Sequence, residues 1–166
     1  MIMFEKFGEF DSVEELNRAA EGFKQEGDFE SLYALAEENG IEKEDAKDYA
    51  DGITEEFATL SMAAAGKIDA EDKKIQGEDI MKKMGMAVIF LVLRGMCMDE
   101  TIQRAVLKKG KRAEQILEAM KKKAKKHAKS GMGISCGTDR QLKEIIRAYY
   151  LEPETEFQKK IEALYQ

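Results

Sequence analysis

The chain has no tryptophan, one proline and one histidine in its 166 residues. With Pro153 as the sole proline, little interrupts a helix from within. Long β-branched runs are missing, which argues against a large sheet. The two cysteines, Cys97 and Cys136, are far apart and belong to no CxxC pair, so they read as reduced thiols rather than a disulfide framework. His127 lies among lysines, and the two cysteines supply only two further ligands, short of a zinc site. No metal and no cofactor is expected. Cys136 lacks a histidine base at a suggestive place, and no pair of carboxylates stands in an apolar setting that would split two pKa values. These absences point away from an enzyme.

Nor is there an apolar run of the ~20 residues that a spanning helix requires. The most apolar stretch, Met84 to Met98, contains Arg94 and reads as a buried core helix, with Met81, Met84, Met86, Met96 and Met98 as core filling. The start, MIMFEKFGEF, carries acids where a secretory leader needs a basic and then an apolar region. A cytoplasmic protein without membrane contact is expected.

What the sequence does hold is helix-forming residues and charge. Glu, Lys, Ala, Met and Leu dominate, the best helix formers. The net charge of −6 conceals a split. Residues 1–60 carry 18 acids and 5 bases, whereas residues 61–166 carry 15 acids and 22 bases. An acidic total argues against nucleic acid as a partner, and the split reopens that question for the second part.

Helix punctuation is frequent. Ser12 with Glu15 has capping-box spacing, and Val13, Leu16, Ala20 and Phe23 form one apolar stripe after it. Gly27 and Asp28 separate this helix from a second, which ends at Asn39-Gly40. A short acidic helix then runs to Gly52, and another is predicted over 54–65. The polar stretch 66–77 reads as a connection or an exposed helix and is the one candidate boundary. Beyond it the sequence predicts a central helix over 78–94 broken by Gly95, and a helix capped by Asp99 and stopped by Gly110. A long amphipathic helix over 111–130 follows, then one capped by Thr138, and a last one opened by Pro153. The expected fold is an all-α, irregular bundle of about seven or eight helices. Residues 1–65 would form an acidic N-terminal bundle, and residues 66–166 the central apolar helix with a basic C-terminal region, either as two units or as one continuous domain.

Two surfaces stand out. Residues 32–49 have helix-turn-helix spacing, but a DNA-reading helix needs bases on its outer face. Here Glu37, Glu38, Glu42, Glu44, Asp45, Asp48 and Asp51 dominate, and phosphates would be repelled. The segment is either a plain hairpin with a solvated acidic face or a carboxylate surface that competes with nucleic acid for a basic partner. The second surface comprises Lys108, Lys109, Lys111, Arg112, Lys121, Lys122, Lys125, Lys126 and Lys129, with Arg140 beyond the glycine-rich loop 131–137. Lysines without interleaved aromatics fit non-specific phosphate contact rather than base stacking. The alternative is that this basic set pairs with the acidic part of the same molecule. The loop lacks the GK[ST] ending of a P-loop and reads as a helix–helix connection.

The stretch EGDFESLYALAEENGIEKEDAKDYADG and the ending LKEIIRAYYLE resemble small accessory proteins of Firmicutes prophages and conjugative elements, including PcfK-like proteins. That resemblance implies a bacterial host cytoplasm and action by binding rather than catalysis. Anti-CRISPR proteins come from the same setting, so the resemblance implies, most sharply, an inhibitor of an RNA-guided DNA endonuclease, a CRISPR effector. The other reading is a nucleic-acid-binding accessory protein of conjugation or replication, touching DNA or RNA backbone through the lysine helix.

Overall fold

A computed structural model describes residues 5–127 and 137–165. Among them there are only helices: α1 (Val13–Glu26), α2 (Phe29–Glu38), α3 (Lys43–Ala50), α4 (Leu60–Ile75), α5 (Ile80–Met96), α6 (Glu100–Leu107), α7 (Ala113–His127), α8 (Asp139–Leu151) and α9 (Glu154–Glu162). A 3-10 turn, Ala163–Tyr165, follows α9. The all-α class stands, and the helix count exceeds the expected seven or eight by at least one.

Most ends fall where the capping chemistry puts them. Ser12 accepts from the Glu15 amide, Asp28 from Ser31 and Asp99 from Thr101. Thr138 and Gln141 close a full capping box on α8. Gly27 ends α1 at φ 71° and Gly40 turns the chain between α2 and α3 at φ 66°, both left-handed positions that favour glycine.

Two expectations fail in the middle of the chain. The helix predicted over 54–65 begins only at Leu60, because Phe57 and Ala58 are buried in a non-helical segment. Asn17 pins that segment, its amide donating to the Ala58 carbonyl and its oxygen accepting the Ala58 N–H, each at 2.9 Å. Of the two readings of the polar stretch 66–77, a connection or an exposed helix, the helix holds, since α4 continues to Ile75, but one face of it is buried. Ala64, Ile68, Glu71 and Ile75 recur at helical spacing and are all buried. The boundary expected between residues 65 and 66 therefore falls inside a helix.

Nevertheless there are two apolar clusters. One gathers α1, α2 and α3 with Phe57, Ala58 and Ala63 and receives Leu107 from α6. The other gathers Ala64, Ile68 and Ile75 of α4 with the buried faces of α5 through α9. Helix α4 thus serves both, with Ala63 in one cluster and Ala64 in the other. It meets the α2–α3 turn through Gly66, where a methyl group would lie 2.2 Å from the Asn39 carbonyl oxygen. Helices α5 and α7 approach similarly at Gly85, where a methyl group would lie 2.9 Å from Leu117.

The central helix differs from its prediction in two ways. Gly95 does not break it, and it is not buried all round. Met86, Ile89, Phe90 and Leu93 face the core, whereas Met81, Met84, Val88 and Leu91 face outward. Of the five methionines taken as core filling, only Met86 is fully buried, and Met96 packs partly against the core.

Candidate partner-binding surfaces

The α2–α3 hairpin carries the predicted acidic face, with exceptions. Glu37, Glu42, Glu44, Asp45 and Asp51 are exposed and Asp48 is half-buried. Glu38 is not part of this surface. It is 5% exposed and its carboxylate accepts the Lys6 and Phe7 amides at 2.8 and 3.1 Å, tying the N-terminal arm to α2. Asp51 is paired with Lys47 at 2.6 Å, one turn apart on α3. Glu42, Glu44 and Asp45 make no ion pair within 4.0 Å among the described residues. Between α2, α3 and α4, Glu30, Glu37, Glu42, Lys43 and Lys73 border a cleft of about 420 Å³.

The basic set separates into two groups with different fates. Lys108, Lys109 and Arg112 lie in the α6–α7 connection and are taken up by the N-terminal arm. Lys108 pairs with Asp11 and Lys109 with Glu15, both at 3.5 Å, and Arg112 pairs with Glu9. The backbone joins in: the Lys109 amide donates to Asp11 and the Gly110 amide to Glu9, both at 3.0 Å. Lys111 folds onto Tyr149, donating to its carbonyl at 2.6 Å with the ammonium 4.4 Å from the ring centre. For Lys108, Lys109 and Arg112 the intramolecular alternative describes the structure, whereas Lys111 meets an aromatic residue of α8 and not the acidic part. No signal along the chain flagged Glu9, Asp11 and Glu15 as their partners, since about a hundred residues separate the two segments.

Beneath this seam lies a buried charge cluster. Lys67, 4% exposed, donates to Glu9 at 2.7 Å and to the Lys108 carbonyl at 3.0 Å. Burial opposes ionisation of Glu9, yet hydrogen bonds from Arg112, Lys67 and the Gly110 amide together hold its carboxyl below the ordinary value. Burial pulls the Lys67 ammonium down. Burial also pushes Glu71 up to about 7, against the opposing Ala113 amide, which donates to it at 2.8 Å. The cluster is enclosed by packed helices, and its groups are used in holding the fold together.

The second basic group lies on α7. Its apolar face, Ala113, Ile116, Leu117, Met120 and Ala124, is buried, as the amphipathic pattern predicts, and Ala128 of the same stripe lies outside the described residues. Lys123 pairs with Glu162 at 3.1 Å. Lys122, Lys125 and Lys126 are exposed and form no ion pair with described residues. Lys121 is half-buried; Asp79, held low chiefly by the Lys82 amide, also feels its charge. Lys122 and Lys126 border a cleft of about 460 Å³ between α7 and α9, with Glu118 and Glu154 on its walls. Arg140 is exposed on α8 and bonds to Glu144 at 3.2 Å. Lys129 and Cys136 lie outside the described residues.

No family model, no curated protein and no solved structure matches the chain.

Among the described residues no group of three His, Cys, Asp or Glu side chains is arranged to hold a metal ion. Cys97 is a free thiol, half-buried, whose pKa burial pushes up to about 11, so it stays protonated at neutral pH. No described helix is long and apolar enough to cross a membrane. Of the two predicted surfaces, Glu37, Glu42, Glu44 and Asp45 on the α2–α3 hairpin and Lys122, Lys125 and Lys126 on α7 remain exposed without an ion pair among the described residues.

Proposed function

We propose that the chain is a non-enzymatic protein of a phage or other mobile element, acting in a bacterial cytoplasm by binding a host protein or nucleoprotein. Its sharpest form is an inhibitor of an RNA-guided DNA endonuclease. The observation that carries this reading is the α3 carboxylate face. Glu42, Glu44 and Asp45 project from the α2–α3 hairpin and form no ion pair within 4.0 Å among the described residues. Effector nucleases of this kind hold nucleic acid in positively charged channels. A helix bearing unpaired carboxylates is attracted to such a channel and competes with phosphates for it.

The test is a cleavage assay with a purified, guide-loaded endonuclease and this protein in excess. Co-elution and reduced cleavage are expected, and both should be lost when Glu42, Glu44 and Asp45 are all changed to Lys. Full cleavage without co-elution removes the inhibitor reading.

The second reading, a nucleic-acid-binding accessory protein of conjugation or replication, is favoured by Lys122, Lys125 and Lys126, exposed in a row on α7. A gel-shift series across salt separates the two. Binding to bare DNA that weakens steeply with salt, and falls further when Lys121, Lys122, Lys125 and Lys126 become Glu, supports it. Absence of any shift at low salt removes it.

A further inference from the structure

Helix α5 has a second apolar face that nothing in the described molecule covers. Ile80, Met84, Val88, Leu91 and Gly95 fall within a narrow sector of the helix, at spacings of three and four residues. Met98 continues the row just past the helix end. Ile80 is 70% exposed, Met84 62%, Leu91 73% and Met98 90%. No charged side chain interrupts the row. A surface helix of a globular protein carries polar residues opposite its buried face, and α5 carries apolar ones on both.

Gly95 provides a separate observation. It sits in the last turn of α5 with helical backbone, a conformation that does not require glycine. Gly85 on the same helix is explained by Leu117 packed against it, but around Gly95 an added methyl group meets nothing within 4 Å. Among the described residues there is no steric reason for a glycine there. On an exposed apolar row it makes a notch into which another side chain fits.

The row is also complementary to itself when reversed. Laid antiparallel about a two-fold axis near residue 89, Met84 of one copy enters the Gly95 notch of the other. Leu91 then meets Val88, and Ile80 meets Met98. The large side chains at one end fall on the small ones at the other. The exposed portions of the row and of neighbouring Met81 amount to roughly 700 Å², close to the ~800 Å² that each partner of a standard stable interface buries.

We propose that α5 is the dimerisation helix of this protein, pairing antiparallel with α5 of a second copy through the row from Ile80 to Met98. A two-fold contact of this kind is isologous: each copy offers both the protruding Met84 and the receiving Gly95. The proposal is independent of the partner-binding surfaces on α3 and α7.

The test measures the mass of the full chain in solution over a range of concentrations. A species of twice the 18.8 kDa chain mass is expected. Leu91→Glu and Met84→Glu should each return it to single-chain mass with unchanged helical circular dichroism, because both side chains are already exposed. Gly95→Leu, which fills the notch, should weaken dimerisation at least tenfold. Val88→Cys, near the axis, should cross-link to itself on oxidation. Met98→Cys should not, because the antiparallel register holds the two copies of that residue about 25 Å apart along the helix axis. Single-chain mass at all concentrations, including when the protein instead floats with lipid vesicles, overturns the proposal. So do a dimer that survives Leu91→Glu and a Met98→Cys cross-link.

Discussion

Glu71 faces the amide end of α7 from the middle of α4, and the two influences on it oppose each other. The Ala113 amide and the nearby Lys67 favour its anion, while burial disfavours it more, leaving its pKa at about 7 against an ordinary 4.5. Between those values the folded chain holds this proton more tightly than the unfolded chain does. The stabilisation associated with Glu71 is therefore complete below about pH 4.5 and is lost as pH rises through about 7. Glu71→Gln keeps an oxygen for the Ala113 amide and removes the titration. We expect the variant to be more stable than the parent at pH 8, by an amount on the order of 2 kcal/mol, and close to it at pH 5. Urea midpoints at the two values measure this. A variant destabilised equally at both would show that the carboxylate is needed ionised. Glu9 works in the other direction. Its folded pKa lies below the ordinary value, so its contribution is present above about pH 4.5 and lost as pH falls through the lowered pKa.

Among the elements, Gly66 determines how closely α4 can lie on the α2–α3 turn. A methyl group there would stand 2.2 Å from the Asn39 oxygen and 2.9 Å from the Gly40 oxygen, both backbone atoms that cannot rotate away. Gly66→Ala should gain helix propensity and still lose stability, by about 1–3 kcal/mol, because α4 must move off both clusters it serves. A lowered urea midpoint with preserved helix content would report it; an unchanged midpoint would mean that the turn yields. This contact also shows where the sequence was readable. Local chemistry marked the helix ends: Ser12, Asp28, Asp99 and Thr138 cap, and Gly27 and Gly40 turn. Long-range contacts were not readable. Asn17 holding Ala58 across 41 residues delays α4, and Ile68, Glu71 and Ile75 bury one face of an apparently polar stretch. In α5 the apolar stretch from Met84 was legible, but it was read as buried, because periodicity alone does not say whether a second apolar face meets this chain or another. The acidic and basic surfaces were likewise legible as composition. Which of their charges are already paired depends on an N-terminal arm that reaches the α6–α7 connection, and no local pattern encodes that reach.

At the scale of the whole molecule, the charge split becomes an internal joint. Residues 9–15 lie against the α6–α7 connection with Glu9, Asp11 and Glu15 turned toward Lys108, Lys109 and Arg112. Arg104 on α6 adds a contact to Glu14. The exposed pairs of this seam contribute little individually, because water and salt screen them. Glu9 is different: it bridges Arg112 and the buried Lys67, and its loss would remove the one carboxylate that bonds to both cations. Removing one partner of a buried pair typically costs about 3–5 kcal/mol, whereas replacing the whole pair with apolar groups does not. Glu9→Gln should therefore destabilise the chain by an amount near the lower end of that range, and Glu9→Leu with Lys67→Met should recover much of the loss. Asp11→Asn, at the exposed edge of the same seam, should change the midpoint little. Hydrogen exchange locates the effect. In Glu9→Gln the Gly110 amide, which donates to Glu9, and the Lys109 amide, which donates to Asp11, should exchange faster, while α8 amides exchange as before. If only the Gly110 amide speeds up, the arm is held mainly by its apolar contacts, Phe7 and Phe10 against the α1–α3 cluster, rather than by charge. If both speed up together, the acidic start and the basic connection form one cooperative joint. In that case releasing the arm frees Lys108, Lys109 and Arg112 from their carboxylates, and binding of phosphate to this connection competes with the arm.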